Sequence, residues 1–155
     1  MKILFICRHN TCRSILAEAI ARRFMPAGFQ VASAGSDPSG DIHPYVCSYL
    51  KAMGLDPTDF RSKSWEELTG FHPDIVISVC DETHGEPCPN WLADGIRVSW
   101  ALNNPLEANT QAEFDQACYV ASTSLKRRID KLAGLDFAAM SREDISAALA
   151  QLHAM

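Results

Sequence analysis

Apolar positions along the chain fall into short continuous runs separated by longer stretches with helical spacing. The runs have the length of buried strands, and they lie at residues 2–6, 29–34, 75–79 and 96–98. Helical spacing covers residues 15–24, 43–53, 65–68, 113–132 and 142–152. This alternation predicts an open, mostly parallel four-stranded α/β sheet with helices on both faces, in a single domain spanning residues 1–155.

The carboxyl ends of the predicted strands are where a binding site is expected, because ligands of parallel sheets bind at that edge. Cys7 follows the first predicted strand, and Cys80 follows the third. The sequence therefore predicts that these two cysteines lie at the same edge of the sheet.

The segment between the first strand and the first helix has the composition of a loop that binds a tetrahedral oxyanion. This oxyanion loop, residues 7–14, reads Cys7, Arg8, His9, Asn10, Thr11, Cys12, Arg13 and Ser14. Its backbone N–H groups can surround an anion, and the following helix adds the positive end of its dipole. Asn10 tolerates the left-handed backbone that such a tight loop requires.

Three side chains of the oxyanion loop have the chemistry of nucleophilic attack. The Arg13 guanidinium can hold two anion oxygens, while Cys7 lies below the central atom as a thiolate. Ser14 can donate a hydrogen bond to the sulfur in both its attacking and its leaving form. A buried cysteine is often only a small apolar side chain, but the strand before it and the helix after it favour the nucleophile here.

A second cysteine-containing segment begins directly after the third strand. Cys80 and Cys88 flank residues 81–87, in a loop that contains Gly85 and Pro87. Spacing of this kind is weak evidence alone, but a thiolate at the same edge makes a disulfide relay the favoured interpretation. Thiol–disulfide exchange requires an attacking thiolate, an accessible sulfur and a good leaving group.

Composition narrows the classes of protein to consider. A net charge of −5 disfavours binding to nucleic acid. No apolar run reaches membrane-spanning length and no signal peptide is recognised, so we expect a cytoplasmic protein without membrane contact. Six cysteines in that setting favour redox or nucleophilic chemistry, and the absence of paired C-x2-C spacing disfavours zinc.

Taken together, these segments resemble the arsenate reductases built on the low-molecular-weight protein tyrosine phosphatase fold. The resemblance rests on the oxyanion loop, on residues 33–35, on the Cys80 and Cys88 pair, and on residues 100–105. It implies that Cys7 attacks arsenate, that Cys80 then attacks the Cys7 sulfur and releases arsenite, and that Cys88 attacks Cys80. The cysteine pair is what favours arsenate reduction over phosphatase activity.

The resemblance also implies partners and a possible ion site. No cofactor is expected to be bound, and the external reductant is either thioredoxin or glutathione with glutaredoxin. The chain is expected to act as a monomer in arsenic detoxification. Some arsenate reductases hold a structural potassium ion at positions that correspond to Asn10, Glu18 and Ser33.

The sequence departs from the family at the general acid. The usual Asp before a proline is Asn104 before Pro105, and an amide can donate a hydrogen bond but cannot give up a proton. General acid catalysis is worth ~10²–10⁴-fold, so a phosphate ester substrate suffers more than arsenate, whose leaving oxygen can already carry a proton. The candidates for a substitute proton donor are Asp81, Glu82 and His84, in the loop that follows the third strand.

Two alternative functions stay open from the sequence. One is a low-molecular-weight protein tyrosine phosphatase that uses Cys7 and Arg13, and the other is a noncatalytic oxyanion-binding or redox module.

His9 is expected to be a solvated loop residue or a donor to the anion. Cys12 is expected either to pair with the nucleophile on oxidation or to face the core, and Cys47 and Cys118 are expected in the core.

Overall fold

The protein is a four-stranded parallel sheet covered by helices, seen in a computed structural model that describes residues 1–80 and 94–152. The strands are β1 (Lys2–Cys7), β2 (Gln30–Gly35), β3 (Ile75–Ser78) and β4 (Ile96–Ser99), in the spatial order β2-β1-β3-β4. The α-helices are α1 (Arg13–Phe24), α2 (Pro44–Ala52), α3 (Gln111–Ala133) and α4 (Arg142–Leu152). The predicted α/β sheet is confirmed, with element bounds shifted by at most two residues.

Short 3-10 turns occupy several connections, at Pro57–Asp59, Trp65–Leu68, Pro105–Glu107 and Phe137–Ala139. Local capping explains where the regular elements begin. Thr110 accepts a hydrogen bond from the Glu113 backbone at 3.2 Å, which caps α3. Ser64 and Glu67 form a capping box at the turn that contains the buried Trp65.

Alternate residues of each strand bury against opposite faces of the sheet. On one face Ile3 and Phe5 pack with the buried residues of all four α-helices. On the other face Leu4 and Ile6 pack with Trp65. Helical segments therefore lie on both faces, as predicted, and within the described residues the second face is covered by the Trp65–Leu68 turn.

Because β1 and β3 are parallel neighbours, their carboxyl ends lie side by side at the same end of the sheet. The register sets Ile6 opposite Ser78, and the Val79 N–H continues the ladder by donating to the Ile6 carbonyl at 2.9 Å. Cys7 is the last residue of β1, and Cys80 follows Val79. Within residues 1–80 and 94–152, no helix combines the length and the apolar character needed to cross a membrane.

Candidate active site

The oxyanion loop turns sharply at Asn10, whose φ of 48° lies in the left-handed region, as the sequence predicts. The Asn10 side chain is fully buried and uses both its donor and its acceptor. Its amide donates to the Ser14 hydroxyl at 2.7 Å and to the Ser33 hydroxyl at 3.1 Å, and its oxygen accepts from the Lys63 backbone at 3.0 Å. Asn10 therefore joins the loop to α1, to β2 and to the segment before Trp65.

Segment 37–43 holds three carbonyl groups of the oxyanion loop pointing outward. The bonds run from Asp37 N to Arg8 O at 2.8 Å, from Ser39 N to His9 O at 3.1 Å, and from His43 N to Thr11 O at 3.4 Å. In a trans peptide unit the C=O and the N–H point in opposite directions. The N–H groups of His9, Asn10 and Cys12 share these peptide units, so they face the interior of the loop, where an oxyanion needs donors.

The side chains of several predicted anion-binding residues lie away from the loop interior. The His9 ring is exposed, and its Nδ1 lies 2.9 Å from the Asp37 carbonyl. The Thr11 hydroxyl donates to the Asp41 carbonyl at 2.9 Å, and Arg8 is exposed to solvent. These three residues therefore line the loop interior with their backbone atoms. A contact between their side chains and a bound anion stays a prediction.

Cys7 lies beneath the loop, 4% exposed, in surroundings that favour its ionised form. A hydrogen bond from the Cys80 side chain, with smaller effects of the Arg13 charge and the Asn10 and His9 N–H groups, lowers the pKa of Cys7 to about 5. Burial acts in the opposite direction but is outweighed. At neutral pH Cys7 is therefore a thiolate, which is the form a nucleophile requires.

The structure places Cys80 just after the end of β3, the strand next to β1, where it influences the ionisation of the Cys7 thiol. Cys80 is fully buried and is a free thiol, as Cys7 is. Its hydrogen bond is the main cause of the lowered pKa of Cys7, and a disulfide between the two thiols stays a prediction. Cys88, with Asp81, Glu82 and His84, lies outside the described residues.

Arg13 begins α1 and contacts the segment that follows β4. Its Nη1 donates to the Leu102 carbonyl at 3.1 Å. That segment is itself fixed to the end of β3, because the Leu102 N–H donates to the Val79 carbonyl at 3.0 Å. The guanidinium is thus held at the edge of the sheet that carries Cys7 and Cys80.

Asn104 caps the 3-10 turn that follows it. Its Oδ1 accepts a hydrogen bond from the Leu106 backbone at 3.1 Å, and the side chain is half-buried. Asparagine and aspartate make this cap equally well, so the local structure does not require an amide here. The absence of an acidic proton at this position is therefore a chemical difference that the fold does not impose.

Ser14 is buried, and its hydroxyl accepts the bond from Asn10. This leaves its own proton for donation to a second acceptor, so donation to Cys7 stays a prediction.

The residues of the predicted potassium site lie together in the core. Ser33 donates to the Glu18 carboxylate at 2.5 Å, and Ser33 also accepts from Asn10. The buried Glu18 carboxylate forms an ion pair with Arg22, so a protein cation already compensates its charge. Within the described residues no cluster of three His, Cys, Asp or Glu side chains suits a metal ion. The potassium site stays a prediction.

Sequence reasoning gave no role to segment 37–43, and it used Gly35 only as part of the family resemblance, without a structural role. A Cβ atom at Gly35 would lie 2.6 Å from the Arg8 carbonyl and 3.0 Å from the Cys7 carbonyl. Only glycine allows β2 to approach the oxyanion loop so closely. The signal that points to this role in the sequence is a glycine at the end of a predicted strand in a protein with a predicted anion loop.

Comparison with known proteins agrees with this geometry. The sequence model of the family described as low molecular weight phosphotyrosine protein phosphatase matches residues 2–143. The chain belongs to this family. Within it, the chain is similar to proteins named as arsenate reductases. The glutaredoxin arsenate reductase of Synechocystis sp. is 31% identical over 104 residues, which cover 67% of this chain and 78% of that relative.

Solved structures that are similar to this chain also include arsenate reductases. An arsenate reductase in the phosphate binding state is 27% identical, with a TM-score of 0.67, and the match covers 84% of this chain and 97% of that one. The thioredoxin-dependent arsenate reductase of Corynebacterium glutamicum is also 27% identical, with a TM-score of 0.60, over 83% of this chain and 61% of that one. One of these relatives is named for glutaredoxin and another for thioredoxin.

Proposed function

We propose that the protein reduces arsenate to arsenite, with Cys7 as the nucleophile. The observation that carries this proposal is a pair of buried thiols, Cys7 and Cys80, at the ends of the neighbouring strands β1 and β3 beneath an oxyanion loop. A phosphatase needs the Cys7 thiolate and the oxyanion loop, but its reaction does not use a second thiol such as Cys80. The arsenate reductases among the relatives support the same choice.

The first two steps follow from the placement of these groups. The inward N–H groups and Arg13 hold arsenate while the Cys7 thiolate attacks arsenic, forming a sulfur–arsenic bond and releasing hydroxide or water. Cys80 then loses its proton to solvent and attacks the Cys7 sulfur. A disulfide forms and the sulfur–arsenic bond breaks. Its electron pair goes to arsenic, which is reduced from the pentavalent to the trivalent state and leaves as arsenite.

Regeneration of Cys7 requires further thiols. In our proposal Cys88 attacks the Cys80 sulfur, the Cys7 thiolate is released, and a Cys80–Cys88 disulfide remains. An external thiol reductant then restores the two thiols, as the redox-coupled names of the relatives suggest. We propose thioredoxin, or glutathione with glutaredoxin, as that reductant, and a monomer in the cytoplasm, where thiols are kept reduced.

Family membership favours one second candidate, a phosphotyrosine phosphatase that uses Cys7 and Arg13. Asn104 disfavours it, because an alkoxide or phenoxide leaving group needs a proton that an amide cannot supply. Arsenate tolerates this loss, since a protonated arsenate oxygen leaves as water or hydroxide. The two candidates therefore differ in their need for an acid at position 104 and for a thiol at position 80.

The test is arsenite release by the purified protein, supplied with arsenate and either a thioredoxin system or glutathione plus glutaredoxin. Cys80→Ser and Cys88→Ser are compared with Cys47→Ser, which removes a half-buried thiol on α2. We expect arsenite from the wild type and from Cys47→Ser, and none from Cys80→Ser. The donor that sustains turnover identifies the physiological class of reductant.

Each remaining outcome discards part of the proposal. Turnover with glutathione and glutaredoxin that survives Cys88→Ser would remove Cys88 from the relay and retain Cys7 and Cys80. Arsenite release that survives Cys80→Ser would refute the role of Cys80. No arsenite with either donor, together with hydrolysis of an aryl phosphate, would replace the reductase with the phosphatase.

A further inference from the structure

Ser62 is a buried polar residue beside the oxyanion loop that the proposed mechanism does not use. It is 5% exposed, and it precedes Lys63, whose backbone N–H donates to the Asn10 side chain at 3.0 Å. The Lys63 carbonyl accepts a hydrogen bond from the Gly35 N–H at 2.9 Å. The residue next to Ser62 is therefore bonded both to the oxyanion loop and to the end of β2, which gives Ser62 a defined position between them.

The Ser62 hydroxyl donates one hydrogen bond and accepts another. It donates to the His9 carbonyl at 3.2 Å, in the oxyanion loop. It accepts from the Gly40 N–H at 3.2 Å, in segment 37–43. A hydroxyl can donate and accept at the same time, so this one side chain joins the oxyanion loop to the segment that orients the loop's carbonyl groups.

The His9 carbonyl belongs to the peptide unit that carries the Asn10 N–H. The Ser39 N–H donates to the same carbonyl at 3.1 Å, so one backbone donor and the Ser62 hydroxyl both hold it outward. Because the C=O and the N–H of a trans peptide point in opposite directions, the Asn10 N–H faces the interior of the loop. In agreement with this direction, the Asn10 N–H is one of the groups that lower the pKa of Cys7.

We propose that Ser62 is a positioning residue, whose hydroxyl holds the His9–Asn10 peptide unit so that the Asn10 N–H is directed at the bound oxyanion. This inference rests on the proposed function, since it concerns how the same site binds its anion. Without the Ser62 hydroxyl the His9 carbonyl keeps one donor, and the left-handed turn at Asn10 loses a support. Binding then has to restore the orientation of the peptide unit, which lowers the affinity for the anion.

The experiment measures the affinity of the reduced protein for inorganic phosphate, as protection of Cys7 against alkylation by iodoacetamide. Thiols do not reduce phosphate, so the measurement needs neither turnover nor an external reductant. In Ser62→Ala we expect the dissociation constant of phosphate to rise by about 2- to 10-fold, which corresponds to the loss of one neutral hydrogen bond. We also expect the midpoint of the alkylation rate to move to higher pH, because the Cys7 thiolate loses part of the stabilisation by the Asn10 N–H.

Two matched variants separate positioning from simple packing. Ser62→Thr retains a hydroxyl that donates and accepts, so its phosphate affinity should stay closer to the wild type than that of Ser62→Ala. Ser78→Ala removes another buried serine hydroxyl, one without a hydrogen-bond partner among the described residues, and should leave phosphate affinity unchanged. Urea unfolding shows whether each variant is folded. If Ser62→Ala is not, Ser62→Cys replaces it and should weaken phosphate binding in the same direction, because a thiol donates and accepts only weakly.

Three results would overturn the inference. They are an unchanged phosphate affinity in folded Ser62→Ala or its cysteine replacement, an equal loss of affinity in Ser78→Ala, and an equal loss in Ser62→Thr. A purely structural role of Ser62 gives the first of these results, since it lowers the free energy of unfolding and leaves phosphate affinity and the alkylation midpoint unchanged. Failure of the proposed function is a separate result, which appears as no arsenite release from the wild type, whatever the phosphate affinities are.

Discussion

Replacing Cys80 tests whether it both activates and resolves the nucleophile. Its hydrogen bond is the largest influence that lowers the pKa of Cys7 from 9.0 to about 5. A hydrogen bond to a charged group is worth about 1.5–3 kcal/mol, and one pH unit of pKa corresponds to about 1.4 kcal/mol. We therefore expect Cys80→Ala to raise the pKa of Cys7 by about one to two pH units.

Cys80→Ser is the matched control for this prediction. The serine hydroxyl still donates to the Cys7 thiolate, so the pKa of Cys7 should stay close to its value in the wild type. Serine cannot form a disulfide, so arsenite release should be lost in Cys80→Ser and Cys80→Ala alike. The two variants thus separate the activation of Cys7 from the resolution of its arsenic adduct.

The assay is the rate of Cys7 alkylation by iodoacetamide as a function of pH, followed by mass spectrometry of the peptide that contains Cys7. The midpoint of the rate profile gives the pKa of the Cys7 thiol. An unchanged midpoint in Cys80→Ala would refute the argument that Cys80 stabilises the thiolate. An equal rise in both variants would show that a hydroxyl cannot replace the thiol as donor.

Three further predictions concern the acid position, the loop support and pH. Asn104→Asp keeps the turn cap, and we expect aryl phosphate hydrolysis to increase by up to about 10²–10⁴-fold; no gain over the exposed Asn103→Asp would contradict this. Gly35→Ala places a methyl group 2.6 Å from the Arg8 carbonyl and should cost about 1–3 kcal/mol in urea unfolding. Gly70→Ala, with no atom within 4 Å of its Cβ, is the control, and an equal cost would refute the steric reason. Because the pKa of Cys7 is lower in the folded state, the thiolate stabilises the fold fully above about pH 9 and not below about pH 5. The free energy of unfolding of the wild type relative to Cys7→Ser should therefore rise by about 1.4 kcal/mol per pH unit between these limits, and a flat difference would contradict the lowered pKa.

The sequence alone determined the elements and the chemistry of the nucleophile. Strand and helix positions follow from the local spacing of apolar residues, which is why β3 and α4 were predicted within one residue. The oxyanion loop is a contiguous segment, so Asn10 and its left-handed backbone were readable before any contact was known. The shared edge of Cys7 and Cys80 followed from a general rule for parallel sheets.

The tertiary structure decided which groups those residues contact. Segment 37–43 orients the peptide units of the oxyanion loop, Arg13 donates to the Leu102 carbonyl, and Asn10 bonds to Ser33 and to the Lys63 backbone. Each of these contacts joins residues far apart in the chain, so all three depend on how the loops and elements pack together. Apolar spacing shows that a helix has a buried face, but it does not show which thiol or carboxylate meets which partner there. The direction of each hydrogen bond at the site is therefore a property of the packed fold.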